Sequence, residues 1–215
     1  MTPSRFAAAR CRMARVVARA VPACPERVLE ALARVPRHRF VDEALWPRAY
    51  RDEALPIGHG QTISKPSTVA RMTAALDPRP RERILEVGTG SGYQAAVLAL
   101  LAGAVFTVER IPALAVRART RLNRLGIQNV EIRPGDGRVG WPEQAPFDAV
   151  LVTAAAARVP SSLFEQVRRG GRLVAPVGEG EDQRIVCWIH AREGWMPQEL
   201  DSCRFVPLRE GTGGR

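Results

Sequence analysis

Arg83-Ile84-Leu85-Glu86-Val87-Gly88-Thr89-Gly90-Ser91-Gly92-Tyr93 is the stretch that decides the fold, a short apolar run that ends in glycines at every second position. An apolar run of strand length, followed at once by glycines and then by the helical pattern Tyr93 to Ala102, reads as strand, tight turn and helix. Glycine has no Cβ, so the backbone there can turn sharply and approach a ligand closely, while the start of the next helix presents partial positive charge. Glu109 lies 21 residues beyond Gly88, at the end of a second apolar run, Ala104 to Val108. That is close to the offset of about 20 residues at which a carboxylate meets ribose hydroxyls. The pattern is that of a nucleotide-cofactor turn.

Spacing selects the nucleotide. In the dinucleotide fingerprint G-x-G-x-x-G the third glycine allows close helix packing, but here it comes one residue early, at Gly92, and Tyr93 takes its place. A pyrophosphate is therefore a poor fit. No Gly-Lys-Ser/Thr follows, which excludes a phosphate-cradling P-loop on residue type. An acid before the glycines, Glu86, with G-x-G-x-G resembles motif I of the S-adenosylmethionine-dependent methyltransferases, whose cofactor carries an adenosine and an amino acid but no phosphate.

Downstream of the glycines the pattern alternates. Strands are expected at 83–87, 104–108, 130–134, 147–152, 171–177, 185–190 and 204–206, and helices at 93–102, 112–125 and 160–167. Such alternation predicts an α/β fold of Rossmann type, a mostly parallel sheet with helices on both faces and the ligand at the carboxyl ends of the strands. Glu86, Glu109, Asp136 and Thr153 fall at such ends.

Upstream the reading is helical, then irregular. Phe6, Ala9, Met13, Val16 and Ala20 recur at helical spacing in a basic amphipathic helix. Val21-Pro22-Ala23-Cys24-Pro25 ends it, a second helix follows with Val28, Leu29, Leu32 and Val35 inward, and a third runs from Lys65-Pro66 to Asp77 with Val69, Met72 and Leu76 inward. Between them, from Ala49 to Ser64, prolines and glycines forbid a regular helix, and long irregular stretches in compact domains are often functional. The chain divides into an N-terminal helical subdomain, 1–80, carrying the loop 55–66, a core at 81–208 and a tail at 209–215, frayed from Glu210.

Composition bounds the rest. The 215 residues suit one domain with a substantial core, and no apolar run approaches the roughly 20 residues of a membrane helix. Arg5, Arg10, Arg12, Arg15 and Arg19 interrupt any secretory signal, so the chain is expected to stay in the cytoplasm. Cys11, Cys24, Cys187 and Cys203 show neither C-x-x-C pairing nor histidines at ligand spacing, so no metal site is expected. Of 32 basic residues only Lys65 is lysine, a bias that reads as genome composition. Residues 1–39 hold nine arginines against Glu26 and Glu30, a charge that attracts nucleic acid, membrane or acidic peptide, or simply solvates a helix face.

Over nearly its whole length, from about Val28 to Leu208, the sequence resembles the protein-L-isoaspartate (D-aspartate) O-methyltransferases. The most specific segment is Leu55-Pro56-Ile57-Gly58-His59-Gly60-Gln61-Thr62-Ile63-Ser64. It is joined in order by Val35-Pro36-Arg37-His38-Arg39-Phe40-Val41, Gly135-Asp136-Gly137-Arg138, Ala145-Pro146-Phe147-Asp148-Ala149, Val152-Thr153-Ala154-Ala155-Ala156, Gly170-Gly171-Arg172-Leu173 and Arg204-Phe205-Val206-Pro207-Leu208. The resemblance implies that Ser64 is the active-site residue and that Glu86, Gly88, Thr89, Gly90, Ser91 and Gly92 form the S-adenosylmethionine site. It further implies that Glu109 binds the ribose, that Asp136 and Gly137 flank the adenine, that Thr62 and Ile63 close the site, and that Val206, Pro207 and Leu208 lie beside the peptide. The implied partners are isoaspartyl proteins and peptides, met by a monomer without nucleic acid or membrane.

Local reading keeps alternatives in view. Ser64 stands just before a helix and can instead cap it. A nucleic-acid methyltransferase shares the cofactor fold, but base amino methylation uses an Asn/Asp-Pro-Pro-aromatic motif where this chain has Val152-Thr153-Ala154-Ala155. A biosynthetic enzyme methylating aspartate in a dedicated precursor peptide shares the reaction, and a non-catalytic binding module shares the fold.

Overall fold

The structure is a computed structural model that describes residues 3–213, with side chains from Phe6 onward; residues 1–2 and 214–215 and the side chain of Arg5 lie outside the described residues. Strand β3 (Arg83–Val87) sits in the middle of a seven-stranded sheet, between β4 (Ala104–Glu109) and β6 (Phe147–Val152), both parallel to it. The chain leaves β3 for β4, continues to β5 (Val130–Pro134) on that side, then crosses back to β6 on the other. Reversal of strand order beside β3 opens a crevice at the carboxyl ends of β3, β4 and β6. β7 (Val167–Glu179) extends the parallel half, and β8 (Asp182–Ala191) and β9 (Gly194–Cys203) complete the sheet as an antiparallel meander.

Buried on both faces, β3 reads as a continuous apolar run rather than an alternating one. Ile84 packs into one core with Met72, Leu98, Leu151 and Val174, while Leu85 and Val87 pack into another with Phe106, Phe147 and Val150. Helix α4 (Tyr93–Ala99) and α5 (Pro112–Arg124) join a third core with the N-terminal helices α1 (Pro3–Ala20) and α2 (Glu26–Arg34). Helix α3 (Pro66–Leu76) buries Val69, Met72 and Leu76 as expected.

Several expectations need correction. The stretch 204–206 is not a strand: the Gln183 side chain of β8 bonds the Phe205 backbone, and just beyond it Pro207 forms an isolated bridge with Ala155. The seventh strand is β9, which the sequence hides because it is a largely exposed edge strand interrupted by Pro197. Proline is tolerated at a sheet edge, where its missing N–H costs no ladder bond. Helix α6 is only Ser161–Glu165, since Val167 already starts β7, and α4 stops at Ala99. In α1 the buried stripe is Met13 and Val17, an i, i+4 pair, and Val16 is 48% exposed. A 3-10 turn at Glu43–Arg48 leads into the irregular stretch, which contains a hairpin of β1 (Leu55–Gly58) with β2 (Gln61–Ile63). The expected fraying from Glu210 does not occur over 210–213: Gly211 N–H donates to Asp136 (2.7 Å), Gly213 N–H to the Arg110 carbonyl (3.1 Å), and Glu210 pairs with Arg138.

Candidate active site

The crevice at the switch point is a cleft of about 930 Å³ including its open mouth. Its floor is Gly88-Thr89-Gly90-Ser91 with Thr153, one wall is Val108 to Ile111 with Gly137, and the facing wall is Thr62-Ile63-Ser64 with Phe205 to Arg209.

Geometry explains the glycines separately. Gly88 has φ of +99°, and a Cβ there would stand 2.4 Å from Thr153 Oγ1. The Thr153 hydroxyl instead reaches the Gly88 carbonyl at 2.8 Å, so the end of β6 clamps the turn that follows β3. Gly92 also has positive φ, +88°, but it does not line the cleft: an added Cβ would lie 3.2 Å from Ala118 Cβ in α5. The early third glycine thus performs close helix packing one position sooner than the dinucleotide fingerprint does.

Three amides of the loop are already used. Gly88 N–H donates to the Val108 carbonyl (2.9 Å), Gly92 N–H to the Thr89 carbonyl (2.8 Å) and Gly90 N–H to Glu109 Oε2 (2.7 Å). A pyrophosphate would find none of these three free and would face a carboxylate. Glu109, only 6% exposed, also accepts from Ile111 N–H through Oε1 at 2.9 Å. A carboxylate has about four lone-pair sites, so two remain for a pair of hydroxyls in the cleft. The residues therefore fit a phosphate-free nucleoside with a free diol.

Glu86 lies one layer beneath, fully buried and outside the cleft lining. Thr107 Oγ1 donates to Glu86 Oε2 at 2.6 Å, and with that proton spent, the Thr89 hydroxyl 2.7 Å away must donate to Thr107. Glu86 Oε1 has no partner among the described residues. Burial pushes the Glu86 carboxyl up to about 8; the Thr107 hydrogen bond opposes this and the nearby charge of Glu109 adds to it. Asp136 is likewise outside the lining, accepting from Arg138 N–H (2.8 Å) and Gly211 N–H, whereas Gly137 is in it.

The serine wall is built differently. His59 (φ 54°) and Gly60 (φ 66°) make the tight turn of the β1–β2 hairpin, positive φ at both central positions being the hand that matches strand twist. Leu55, Ile57 and Ile63 are buried and anchor the hairpin, with Ile57 against the Gly90 turn. Ser64 follows directly. It does not cap α3: the cap position is Lys65, without a side-chain bond, and Ser67 N–H is taken by Asp52 Oδ1 at 2.8 Å. The cap comes from a distant loop, leaving the Ser64 hydroxyl to the cleft.

Val206 and Leu208 are held against the end of β6 by Ala155, whose N–H donates to the Val206 carbonyl (2.8 Å) and whose carbonyl accepts from Leu208 N–H (2.6 Å). A second cleft opens off the first, sharing Thr62, Ser64, Thr153 and Val206 and continuing past Lys65, Glu181 and Ser202 to Arg204. Sequence reading missed Thr68, Met72 and Gln94 in the lining. Met72 carries only a core signal, and Gln94, bonded to Thr73, carries none.

The family model described as protein-L-isoaspartate(D-aspartate) O-methyltransferase matches residues 17–213. The chain is 55% identical over 186 residues to a protein-L-isoaspartate O-methyltransferase of Pseudomonas paraeruginosa, covering 86% of this chain and 88% of the relative. It is 52% identical over 207 residues to one of Syntrophus aciditrophicus, covering 95% of each. A solved protein-L-isoaspartate O-methyltransferase superposes with a TM-score of 0.85 at 26% identity, covering 95% of this chain and 67% of the other. A Plasmodium falciparum structure described as the same enzyme, in complex with S-adenosyl-L-homocysteine, gives 0.80 at 25% identity, covering 93% and 98%.

Proposed function

The chain belongs to the protein-L-isoaspartate(D-aspartate) O-methyltransferase family, and from that premise we propose that it methylates the α-carboxyl of L-isoaspartyl residues in damaged proteins and peptides, using S-adenosyl-L-methionine. What carries the reading is that Ser64, the glycine turn 88–91 and Glu109 line one cleft. Bound there, the donor supplies a methyl group already activated by its sulfonium.

The chain's own residues have little chemistry to do. An acceptor carboxylate, with an ordinary pKa of about 4, is ionised at neutral pH and needs no general base. Alignment and exclusion of water are the remaining tasks. The Ser64 hydroxyl has one proton to give, which orients one carboxylate oxygen without attacking anything. Glu109 accepts from the ribose hydroxyls, and Gly88 to Ser91 let the donor approach the backbone. Thr62, Ile63 and Gly137 close around it, while Glu86, Gly92 and Asp136 act from behind the cleft wall. The second cleft, with Val206, Pro207 and Leu208 at its edge, takes the flanking peptide.

Methoxide leaves an acyl carbon more readily than oxide does, so the neighbouring backbone nitrogen attacks the ester carbonyl and closes a succinimide, its proton departing with the methoxide as methanol, and hydrolysis of the succinimide returns part of the chains to normal aspartate. In this reading residues 1–80 furnish the acceptor loop and 81–208 the donor site, and Gly211 and Gly213 of the tail brace that site from behind. The enzyme works as a cytoplasmic monomer without nucleic acid or membrane. No described helix is long and apolar enough to cross a membrane.

Methyl-labelled donor with matched isoaspartyl and aspartyl peptides tests the reading through base-labile methanol. Release from the isoaspartyl peptide alone supports it. Labelling of the aspartyl peptide alone points to a biosynthetic precursor enzyme, and labelling of RNA and neither peptide to a nucleic-acid methyltransferase.

A further inference from the structure

We propose that Arg37 is the positioning residue of the acceptor side, the group that sets the backbone from which Ser64 presents its hydroxyl. Arg37 lies on a short 3-10 turn, Arg37–Phe40, and is completely buried. Its guanidinium makes three hydrogen bonds, all to backbone carbonyls: Nε to Ala49 (2.8 Å), Nη1 to Ser64 (2.9 Å) and Nη2 to Glu53 (3.0 Å). Its Cζ stands 5.2 Å from the centre of the Tyr93 ring, which itself lines the cleft.

A buried charge is costly unless paired. Arg37 has no carboxylate in ion-pair contact among the described residues, and burial lowers its pKa, opposed by Tyr93, Asp52, Tyr50 and Glu53. Three carbonyl dipoles offset the cost, and they come from three separate points of one irregular segment. The planar fork of arginine spans three such points, whereas a lysine ammonium donates from a single atom. Asp52 bonds the Ser67 amide just beyond, so the chain on either side of Lys65-Pro66 is tied to the 37–53 region. The acceptor loop, which lacks a sheet ladder beyond its own hairpin, takes its position from this clamp.

The activity part of the test rests on the functional reading above; the exchange part does not. Arg37→Lys and Arg37→Gln, the latter neutral with two donors, are each made alone and with Ser64→Ala. Thermal melts in the presence of S-adenosylhomocysteine identify folded variants. In both arginine variants amide hydrogen exchange across 61–68 speeds up at least about tenfold, while exchange in β3 and β4 is unchanged. S-adenosylhomocysteine affinity falls by no more than about threefold, through the looser Thr62 and Ile63, while kcat/KM for an isoaspartyl peptide falls about tenfold or more, a loss that disappears when Ser64 is already alanine. An equal loss in the Ser64→Ala background, unchanged exchange across 61–68, or a parallel fall in S-adenosylhomocysteine affinity would overturn the proposal. If neither variant folds even with S-adenosylhomocysteine, Arg37 serves the whole fold and the proposal fails. Wild-type protein inactive on the peptide, with exchange behaving as described, would instead retire the functional reading and leave the clamp standing.

Discussion

The two walls of the cleft are held by different forces. The donor wall hangs from parallel strands: β3, β4 and β6 run in register, and Gly88, Glu109 and Thr153 take their places because those strands end where they do. The acceptor wall is an irregular segment with a two-residue hairpin turn, pinned by Arg37 on its Ser64 carbonyl and tied by its own Asp52 to the first turn of α3. A strand end is fixed by many ladder bonds at once, so one substitution there changes fit rather than position. A pinned loop depends on a few bonds, and one substitution can move it.

The comparison breaks most sharply at Gly88. Gly88→Ala forces a Cβ against Thr153 at positive φ, and strain plus overpacking cost about 3–5 kcal/mol. Thermal unfolding should show that loss, and calorimetry should find S-adenosylhomocysteine binding weaker by about a hundredfold or more.

Next in size is a pH effect confined to the donor side. The folded pKa of Glu86, about 8, stands above its unfolded value of about 4.3, so the folded chain holds that proton more tightly. The resulting stabilisation is complete below the unfolded pKa and is lost as pH rises through about 8. Between pH 6 and 7.5 wild-type stability should therefore drop by about 2 kcal/mol more than that of Glu86→Gln, read from urea titrations at both pH values. Equal slopes would mean Glu86 is ionised in the fold.

Smaller effects belong to the acceptor wall. Ser64→Ala removes one hydrogen bond to a charged oxygen, worth about 1.5 kcal/mol, so kcat for an isoaspartyl peptide should fall about tenfold while S-adenosylhomocysteine affinity holds. Asp52→Ala removes the cap from Ser67 N–H and should cost about 1 kcal/mol, a melting shift of about 2–4 °C. If Asp52→Ala disturbed donor affinity as much as peptide turnover, the two walls would not be separable.

The same contrast decides what the sequence reveals. Strand β3, its glycines and Glu109 were legible because apolar runs, turn residues and a fixed offset each mark a strand end. Ser64 was legible only through resemblance, since locally it looks like a helix cap, and the cap in fact comes from Asp52, far off in sequence. Arg37 was invisible for a compositional reason: in a chain whose basic residues are arginine at every position but Lys65, one more arginine carries no signal. Strand β9 escaped because an exposed edge strand need not alternate, and 204–206 misled because Phe205 and Val206 are apolar for the cleft, not for a ladder.

Catalysis requires the two walls to meet around one acceptor carboxylate. A crystal structure with S-adenosylhomocysteine and an isoaspartyl peptide tests it most directly. The Ser64 hydroxyl should lie within about 2.6–3.2 Å of the isoaspartyl carboxylate, with Glu109 on the ribose hydroxyls of S-adenosylhomocysteine. A carboxylate seated away from Ser64, or a ribose that ignores Glu109, would contradict it.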